Sequence, residues 1–249
     1  MTNYPMNETY RWNPAEGVVG VVGVAPAATA DFYQRLIALT PARKDWNHVR
    51  VLIDSNPKIP SRGRHLELNE ADPSPYLRNT ITGLAGLGAT VIAVPCNTAH
   101  ILYDRYAKGH GVPVPNMIDL TVQALRSKCE RFPRKVAVLG SRLTLAHNLY
   151  GRQIAAIGGD VLDMEEIQEE VSGCIEGVKQ GSKLEKISDR FEGILRRCVN
   201  KNADAFIVAC TELSLLMRSE WSARPVIDSS TELARHCLWS VQGSAQNPT

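Results

Sequence analysis

The sequence predicts an α/β protein of two lobes related by a pseudo-twofold axis. Each lobe is a parallel sheet flanked by helices, with an active site in the cleft between them. Three observations predict this. Short β-branched runs alternate with segments of helical spacing along the whole chain. The alternation restarts near residue 135. Residues also recur across the restart: Tyr33 and Arg35 follow Gly23 at the offsets at which Tyr150 and Arg152 follow Gly140, and "ATVIAVPCN" from Ala89 lines up with "ADAFIVACT" from Ala203.

Taken in order, "GVVGVVGV" (17–24) reads as a strand and "TADFYQRLIALT" (29–40) as a helix capped by Thr29. "VRVLIDS" (49–55) is a second strand, closed by the Pro-rich loop "NPKIPSRGRH". A helix over 74–88 ends on glycine, a strand follows over 90–95, and "AHILYDRYAKGH" has helical spacing. Prolines limit "VPVPNMI" (112–118) to a short strand before a helix near 119–129. The second cycle runs through a strand over 135–140, a helix over 143–157, a strand over 160–164 and helices over 165–180 and 182–200. It closes with a strand over 205–210, a helix over 212–219, a strand over 224–228 and a last helix to about 240. The expected division is an N-terminal extension (1–16), a first lobe (17–118 plus 225–249) and a second lobe (119–224).

The repeat separations are 117 residues (Gly23 to Gly140), 114 (Cys96 to Cys210) and 109 (Asp119 to Asp228), which indicates a duplicated half. In open α/β sheets, ligands sit outside the carboxyl ends of the strands. Cys96 and Cys210 occupy such ends, so the cleft should hold one thiol on each wall.

Composition narrows the function classes. With 249 residues, 44% of them hydrophobic, the chain can bury a sizeable core. A net charge of +2 with 22% charged residues gives no field that recruits nucleic acid or an acidic membrane surface. No apolar run approaches the roughly 18 residues of a membrane helix, and no basic-then-apolar leader opens the chain. The expectation is a cytoplasmic enzyme, for which the Asn7-Glu8-Thr9 acceptor pattern carries no meaning. The six cysteines include no C-x-x-C, so zinc-ribbon and thioredoxin readings lose their support. Cys129, Cys174, Cys198 and Cys237 read as small buried hydrophobes. The glycines of "GVVGVVG" are spaced three apart, unlike a dinucleotide loop. Nothing marks a Schiff-base lysine beside a phosphate loop.

"PCNTAH" and "CTEL", with "APAATADFY" near the start and "NPKIP" between, resemble the aspartate/glutamate racemase family from about Gly17 to Leu238. The resemblance implies a cofactor-independent isomerase in which two cysteines flank the α-carbon of a free amino acid, one as thiolate base and the other as thiol acid. Inverting an sp³ carbon removes a proton from one face and delivers another to the opposite face, which needs two groups. A free thiol titrates near about 8.5, so one thiolate beside one thiol needs only modest tuning.

Asn97 and Thr98 open a helix whose N-terminus favours an anion. With Thr211 they can donate hydrogen bonds to a substrate carboxylate or enolate oxygen, or they can simply cap the turn. Glu212 either orients the substrate amino group or favours its own helix N-terminus. His100, four residues after Cys96, either tunes that thiol or bonds structurally. From the family, Arg62 after "NPKIP" and Lys179 in "EGVK" correspond to residues aimed at a substrate side-chain carboxylate, and Asn56 to a substrate-contacting asparagine. Arg64 competes with Arg62 for its role.

The implied substrate is a dicarboxylic amino acid, aspartate before glutamate, and the family implies a homodimer. "GVAP" stands where relatives carry a glycine-rich run, so Val24 and Ala25 bear on the substrate more than on the reaction. The alternatives are a related isomerase acting on maleate, hydantoin or a less acidic amino acid, and a non-catalytic protein that binds an acidic metabolite.

Overall fold

The computed structural model describes residues 16–129, 134–217 and 224–242. Residues 1–15 of the N-terminal extension, with Asn7, therefore lie outside the described residues, as do positions 218 and 219 of the helix expected over 212–219.

The first half runs β1 (Val18–Gly23), α1 (Pro26–Leu39), β2 (Arg50–Ser55), α2 (Arg62–Leu68), α3 (Ser74–Gly86), β3 (Val91–Ala93), a 3₁₀ turn (Thr98–Leu102), α4 (Tyr103–Tyr106) and α5 (Met117–Lys128). The second half runs β4 (Lys135–Gly140), α6 (Arg142–Ala146), α7 (Gly151–Ala156), β5 (Asp160–Val161), α8 (Glu165–Lys179) and α9 (Leu184–Asn200). It ends with β6 (Ala205–Ala209), α10 (Thr211–Ser214), β7 (Val226–Asp228) and α11 (Ser229–Gln242). All strand pairs are parallel, in sheet orders β2-β1-β3 and β5-β4-β6-β7. Among the described residues no helix is long and apolar enough to cross a membrane.

The inner strands β1, β4 and β6, with β3, are apolar and buried because both their faces are covered, apart from Lys135 at the start of β4, whereas edge strands β2 and β5 are largely exposed and carry polar residues. Side chains alternate along β4 and β6: Ala137, Leu139, Phe206 and Val208 face α8 and α9, while Val136, Val138, Ala205 and Ile207 face α5 and α7. In the first lobe Val19 and Val21 meet α1 and α11, and Val22 meets the side of α3 and α4. Each of these Val, Leu, Ile and Phe side chains contributes roughly 1.5–3 kcal/mol by leaving water.

The two sheets follow one plan. Ile92 N–H bonds to Pro113 O at 3.0 Å beside β3, and Phe206 N–H bonds to Pro225 O at 2.9 Å beside β6. Residues 112–116 thus occupy the place of β7, but they form no strand, because Pro113 and Pro115 have no N–H to donate. Asn116 caps α5, accepting from Ile118 and Asp119 N–H, as Asp228 accepts from Thr231 N–H at 2.8 Å. The structural counterpart of Asp228 is therefore Asn116, one helical turn before the expected Asp119.

The elements after these segments cross over. Helix α5 packs its Ile118, Val122 and Leu125 on the second sheet, whereas α11 packs its Leu233, Ala234 and Leu238 on the first. A division that starts the returning segment at 225 assigns β7 to the first lobe; its ladder with β6 makes it the edge of the second sheet.

Three local expectations change. The helix expected over 143–157 is two helices, because Asn148 adopts a left-handed φ of 50° between them. A Cβ at Gly151 would lie 1.9 Å from Asn148 Oδ1, so a larger residue there requires the exposed Asn148 side chain to turn away. The loop after Ser55 contains helix α2, capped by Ser61 Oγ accepting from Arg64 N–H. The helix expected from Ala99 is a 3₁₀ turn followed by four-residue α4.

Phe191 of α9 is 1% exposed within the second-lobe core. Phe191→Ala should lower the unfolding free energy by about 3–5 kcal/mol, measured as a fall in urea midpoint. An unchanged midpoint would contradict the packing of α8 and α9 on this sheet.

Candidate active site

Strands β1, β3, β4 and β6 all open onto one cleft of about 780 Å³. Val24 and Ala25 follow β1, Cys96 to Thr98 follow β3, Ser141 and Arg142 follow β4, and Cys210 to Glu212 follow β6. These are equivalent positions in the two halves, so duplication builds both walls. Gly23 permits the first turn: a Cβ there would lie 2.6 Å from Thr29 Oγ1 and 2.7 Å from its Cγ2. Helix α2 adds Arg62 and Glu67, and α8 adds Ser172, Glu176 and Lys179. A smaller cavity of about 440 Å³ beside α6, α7 and α8 holds neither thiol.

The six cysteines are all free; Cys96 and Cys210 are half-buried, as is Cys129, while Cys174, Cys198 and Cys237 are buried. Cys210 Sγ donates to Glu212 Oε2 at 3.0 Å, and Thr211 Oγ1 donates to the same oxygen at 3.3 Å. Burial, then the Glu212 charge, pushes the Cys210 thiol well above the ordinary cysteine value, and Cys96 adds to the effect. Cys210 is therefore protonated at neutral pH.

Asn97 and Thr98 reach across the lobes. Asn97 Oδ1 accepts from Tyr150 OH, and its Nδ2 donates to Ser229 Oγ at 3.0 Å, which in turn donates to Val208 O of β6 at 2.9 Å. The amide is thus tied to Tyr150 and Ser229, with one of its two N–H groups used, and Asn97 lines the cleft. Thr98 Oγ1 lies 3.2 Å from Ser141 Oγ. The other turn is held reciprocally: Arg35 of α1 donates to Ser214 O at 3.0 Å and Thr231 Oγ1 at 2.7 Å, and pairs with Asp31 and Asp228.

His100 Nε2 accepts from Met117 N–H at 3.1 Å, which leaves Nδ1 protonated and donating to Cys96 O at 2.9 Å. The ring thus holds the backbone of the Cys96 turn rather than its sulfur. Burial pushes its pKa below the ordinary histidine value, outweighing the carbonyls of Cys96 and Pro115 and the charge of Asp119.

Arg62 donates to Pro60 O at 3.1 Å and to Ile59 O at 3.4 Å, and its Nε is buried with no partner. Arg64 is turned away, paired with Glu70 on the surface. Lys179 bonds to Glu176 Oε1 at 2.9 Å; burial works against its charge, but Glu176, Glu212 and Cys210 together raise its pKa. Asn56 stands outside the cleft lining, its Oδ1 accepting from Lys58 N–H at 3.0 Å to close the loop after β2.

Sequence reading did not single out Ser141, Arg142, Ser172, Glu67 or Glu176. The repeat carried a signal for two of them, since Ser141 and Arg142 follow Gly140 as Val24 and Ala25 follow Gly23. Among the described residues, no group of three or more His, Cys, Asp or Glu side chains is placed to hold a metal ion.

A family model described as Asp/Glu/Hydantoin racemase matches residues 21–237. The chain belongs to this family. It is 25% identical over 223 residues to the broad specificity amino-acid racemase RacX of Bacillus subtilis (strain 168), covering 88% of this chain and 95% of that protein. The Picrophilus torridus aspartate racemase structure superimposes with a TM-score of 0.81 at 28% identity, covering 91% of this chain and 94% of the other. Glutamate racemase RacE1 of Bacillus anthracis shares the fold, with a TM-score of 0.64 at 16% identity over 91% of this chain and 82% of that one. Within this racemase-family fold, the two thiol-bearing turns are the duplicated feature of the cleft.

His100 gives a pH prediction. Its folded pKa lies below the unfolded value of about 6.5, so its contribution to stability is present above that pH and is lost as pH falls toward the folded value. The urea midpoint should decline from pH 7 to pH 5, and less steeply in His100→Gln, which removes one of the two histidines whose pKa is lowered and keeps the same-signed contribution of His236. Parallel pH profiles for the two proteins would count against the neutral-imidazole tie.

Proposed function

We propose that this chain is an amino-acid racemase that inverts the α-carbon by proton transfer between Cys96 and Cys210, with no cofactor and with an acidic amino acid as substrate. The observation that carries the reading is the placement of two thiols at equivalent strand ends on one cleft, each on a turn held by the opposite lobe. One thiolate takes the α-proton and becomes a thiol, leaving a carbanion whose charge spreads into the carboxylate as an enediolate. The other thiol protonates the opposite face and becomes the thiolate, so the proton count is unchanged and the two roles have exchanged. Thr98 is the hydroxyl donor for the developing oxyanion, while the Thr211 hydroxyl hydrogen is held by Glu212. A homodimer in the cytoplasm is part of the same reading and rests on the family resemblance.

Arg62 supports a carboxylate-bearing substrate, because its guanidinium meets only carbonyls and its buried Nε has no acceptor. Lys179 adds a second cation whose bond to Glu176 is half-exposed. Such pairs are worth about 0.2–1 kcal/mol, so a substrate carboxylate can displace it. The aspartate racemase of P. torridus points the same way. A second reading has one observation in its favour: Glu176 already neutralises Lys179, which leaves a cleft less cationic than a dicarboxylate needs. Its counterpart among relatives is broad specificity, as named for RacX.

The test is incubation with L-aspartate, L-glutamate, L-alanine and L-lysine in D₂O without added cofactor, following optical rotation and α-deuterium. Aspartate should lose rotation fastest, and Cys96→Ala and Cys210→Ala should each slow racemisation by about 10²–10⁴-fold while Cys129→Ala stays near normal. Arg62→Ala should slow aspartate far more than alanine. Equal rates for all four amino acids would establish the broad reading, and no exchange with any of them would end the racemase assignment.

A further inference from the structure

The cavity of about 440 Å³ beside α6, α7 and α8 holds neither thiol and has no role in the proton transfer. Its volume is in the range of small-ligand sites. Much of its wall is apolar, from Val138 of β4, Leu145 of α6, Leu149, and Leu162 and Met164 after β5. One polar group on that wall asks for a donor. Gln168 is only 5% exposed, and both bonds it makes use Nε2, to Gly140 O at 3.0 Å and to Ser172 Oγ at 3.5 Å. The Gly140 carbonyl needs an N–H, which fixes the amide's orientation. Gln168 Oε1 therefore lines the cavity without accepting a hydrogen bond from any described residue, and a buried oxygen in that condition is costly.

Asp163 and Glu165 line the same cavity. Their neighbours on α8 are matched by cations: Glu166 pairs with Lys201, Glu169 with Arg142 and Glu170 with Arg197. Among the described residues no arginine or lysine pairs with Asp163 or Glu165. Arg142 also lines the cavity, but Glu169 already neutralises it. We infer that this cavity is a second ligand site, for a small apolar molecule carrying a primary ammonium group, and that its occupant acts on the Cys96 turn. An ammonium offers three N–H donors, which Gln168 Oε1, Asp163 and Glu165 accept. Its apolar body covers Leu145, Leu149 and Met164. A ligand carrying a carboxylate instead is repelled by the two acids.

The route from this cavity to the cleft is short. Tyr150 lines the cavity, and its OH donates to Asn97 Oδ1 beside Cys96. Thr144 lines it too; its Oγ1 lies 3.0 Å from Ser141 Oγ, which is 3.2 Å from Thr98 Oγ1. Gln168 itself holds the carbonyl of Gly140, the last residue of β4. An occupant packed against these three residues restrains the turn that carries Cys96 and makes its opening rarer.

The probe is 2-phenylethylamine, with phenylacetate as its oppositely charged counterpart. Binding to the full-length protein is measured by calorimetry. Alkylation of Cys96 and Cys129 by iodoacetamide, with and without the amine, is followed by peptide mass spectrometry. The amine should bind and the acid should not, and saturating amine should slow alkylation of Cys96 about fivefold while leaving Cys129 unchanged. The double substitution Asp163→Asn with Glu165→Gln should abolish both effects. So should Ala146→Trp, which fills the cavity from an exposed position on its rim. Glu176→Gln, in the cleft, should abolish neither. Absence of amine binding, equal binding of amine and acid, loss of binding in Glu176→Gln alone, or an unchanged Cys96 rate at saturating amine would overturn the inference. Neither readout requires turnover, so the racemase reading and this one stand or fall separately.

Discussion

The constraint on which the rest depends is the reciprocal anchoring of two strand-end turns, each by side chains from the other lobe. Asn97, next to Cys96, is held by Tyr150 and by Ser229, whose hydroxyl continues to the β6 backbone just before Cys210. Ser214, closing the helix that starts after Cys210, is held by Arg35 of α1. These bonds lie in buried or half-buried surroundings, where a satisfied polar network is strong and a broken one is costly. The relative position of the two thiols is thereby set by side-chain bonds across the lobes as well as by packing of the crossed helices α5 and α11. Arg35 sits between two carboxylates, and burial raises the Asp31 pKa against the lowering effect of Arg35.

Geometric near-equivalence and chemical inequivalence are combined in one cleft. Duplication supplies matching walls: Ser141 and Arg142 opposite Val24 and Ala25, Cys210 opposite Cys96. Small changes then separate the walls. Glu212 replaces the hydroxyl of Thr98, and His100, as a neutral Nδ1–H imidazole, ties the first turn to the start of α5 where the second turn has Ser214. A racemase needs this combination, since its two faces must be equally reachable while only one group carries the negative charge at a time.

Much of the fold and the core of the site were legible in the sequence because they repeat. The apolar runs show which segments are buried strands, and the constant offset of Cys96 and Cys210 marks paired strand ends. What was not legible depended on details that residue patterns do not carry. Pro113 and Pro115 leave 112–116 in a strand's place without a strand's ladder, and Asn148 breaks a helix whose apolar spacing runs on past it. Asn56 and Asn97 carry amides that suit either substrate or neighbouring protein groups, and only the neighbours present in space show which bonds they make: Lys58 N–H for one, Tyr150 and Ser229 for the other. Glu176 was hidden for a different reason, since an acidic residue three before Lys179 reads as an ordinary helix-surface pair until the cleft is seen beside it.

The central claim is that the thiols address opposite faces of one carbon, and one measurement tests it most directly. Each single-thiol variant, Cys96→Ala and Cys210→Ala, is incubated in D₂O with pure L- and pure D-aspartate, and α-deuterium uptake without racemisation is followed by NMR. Exchange of one enantiomer by one variant and of the mirror-image enantiomer by the other is the predicted result. Exchange of the same enantiomer by both variants would place the two sulfurs on one face and contradict it.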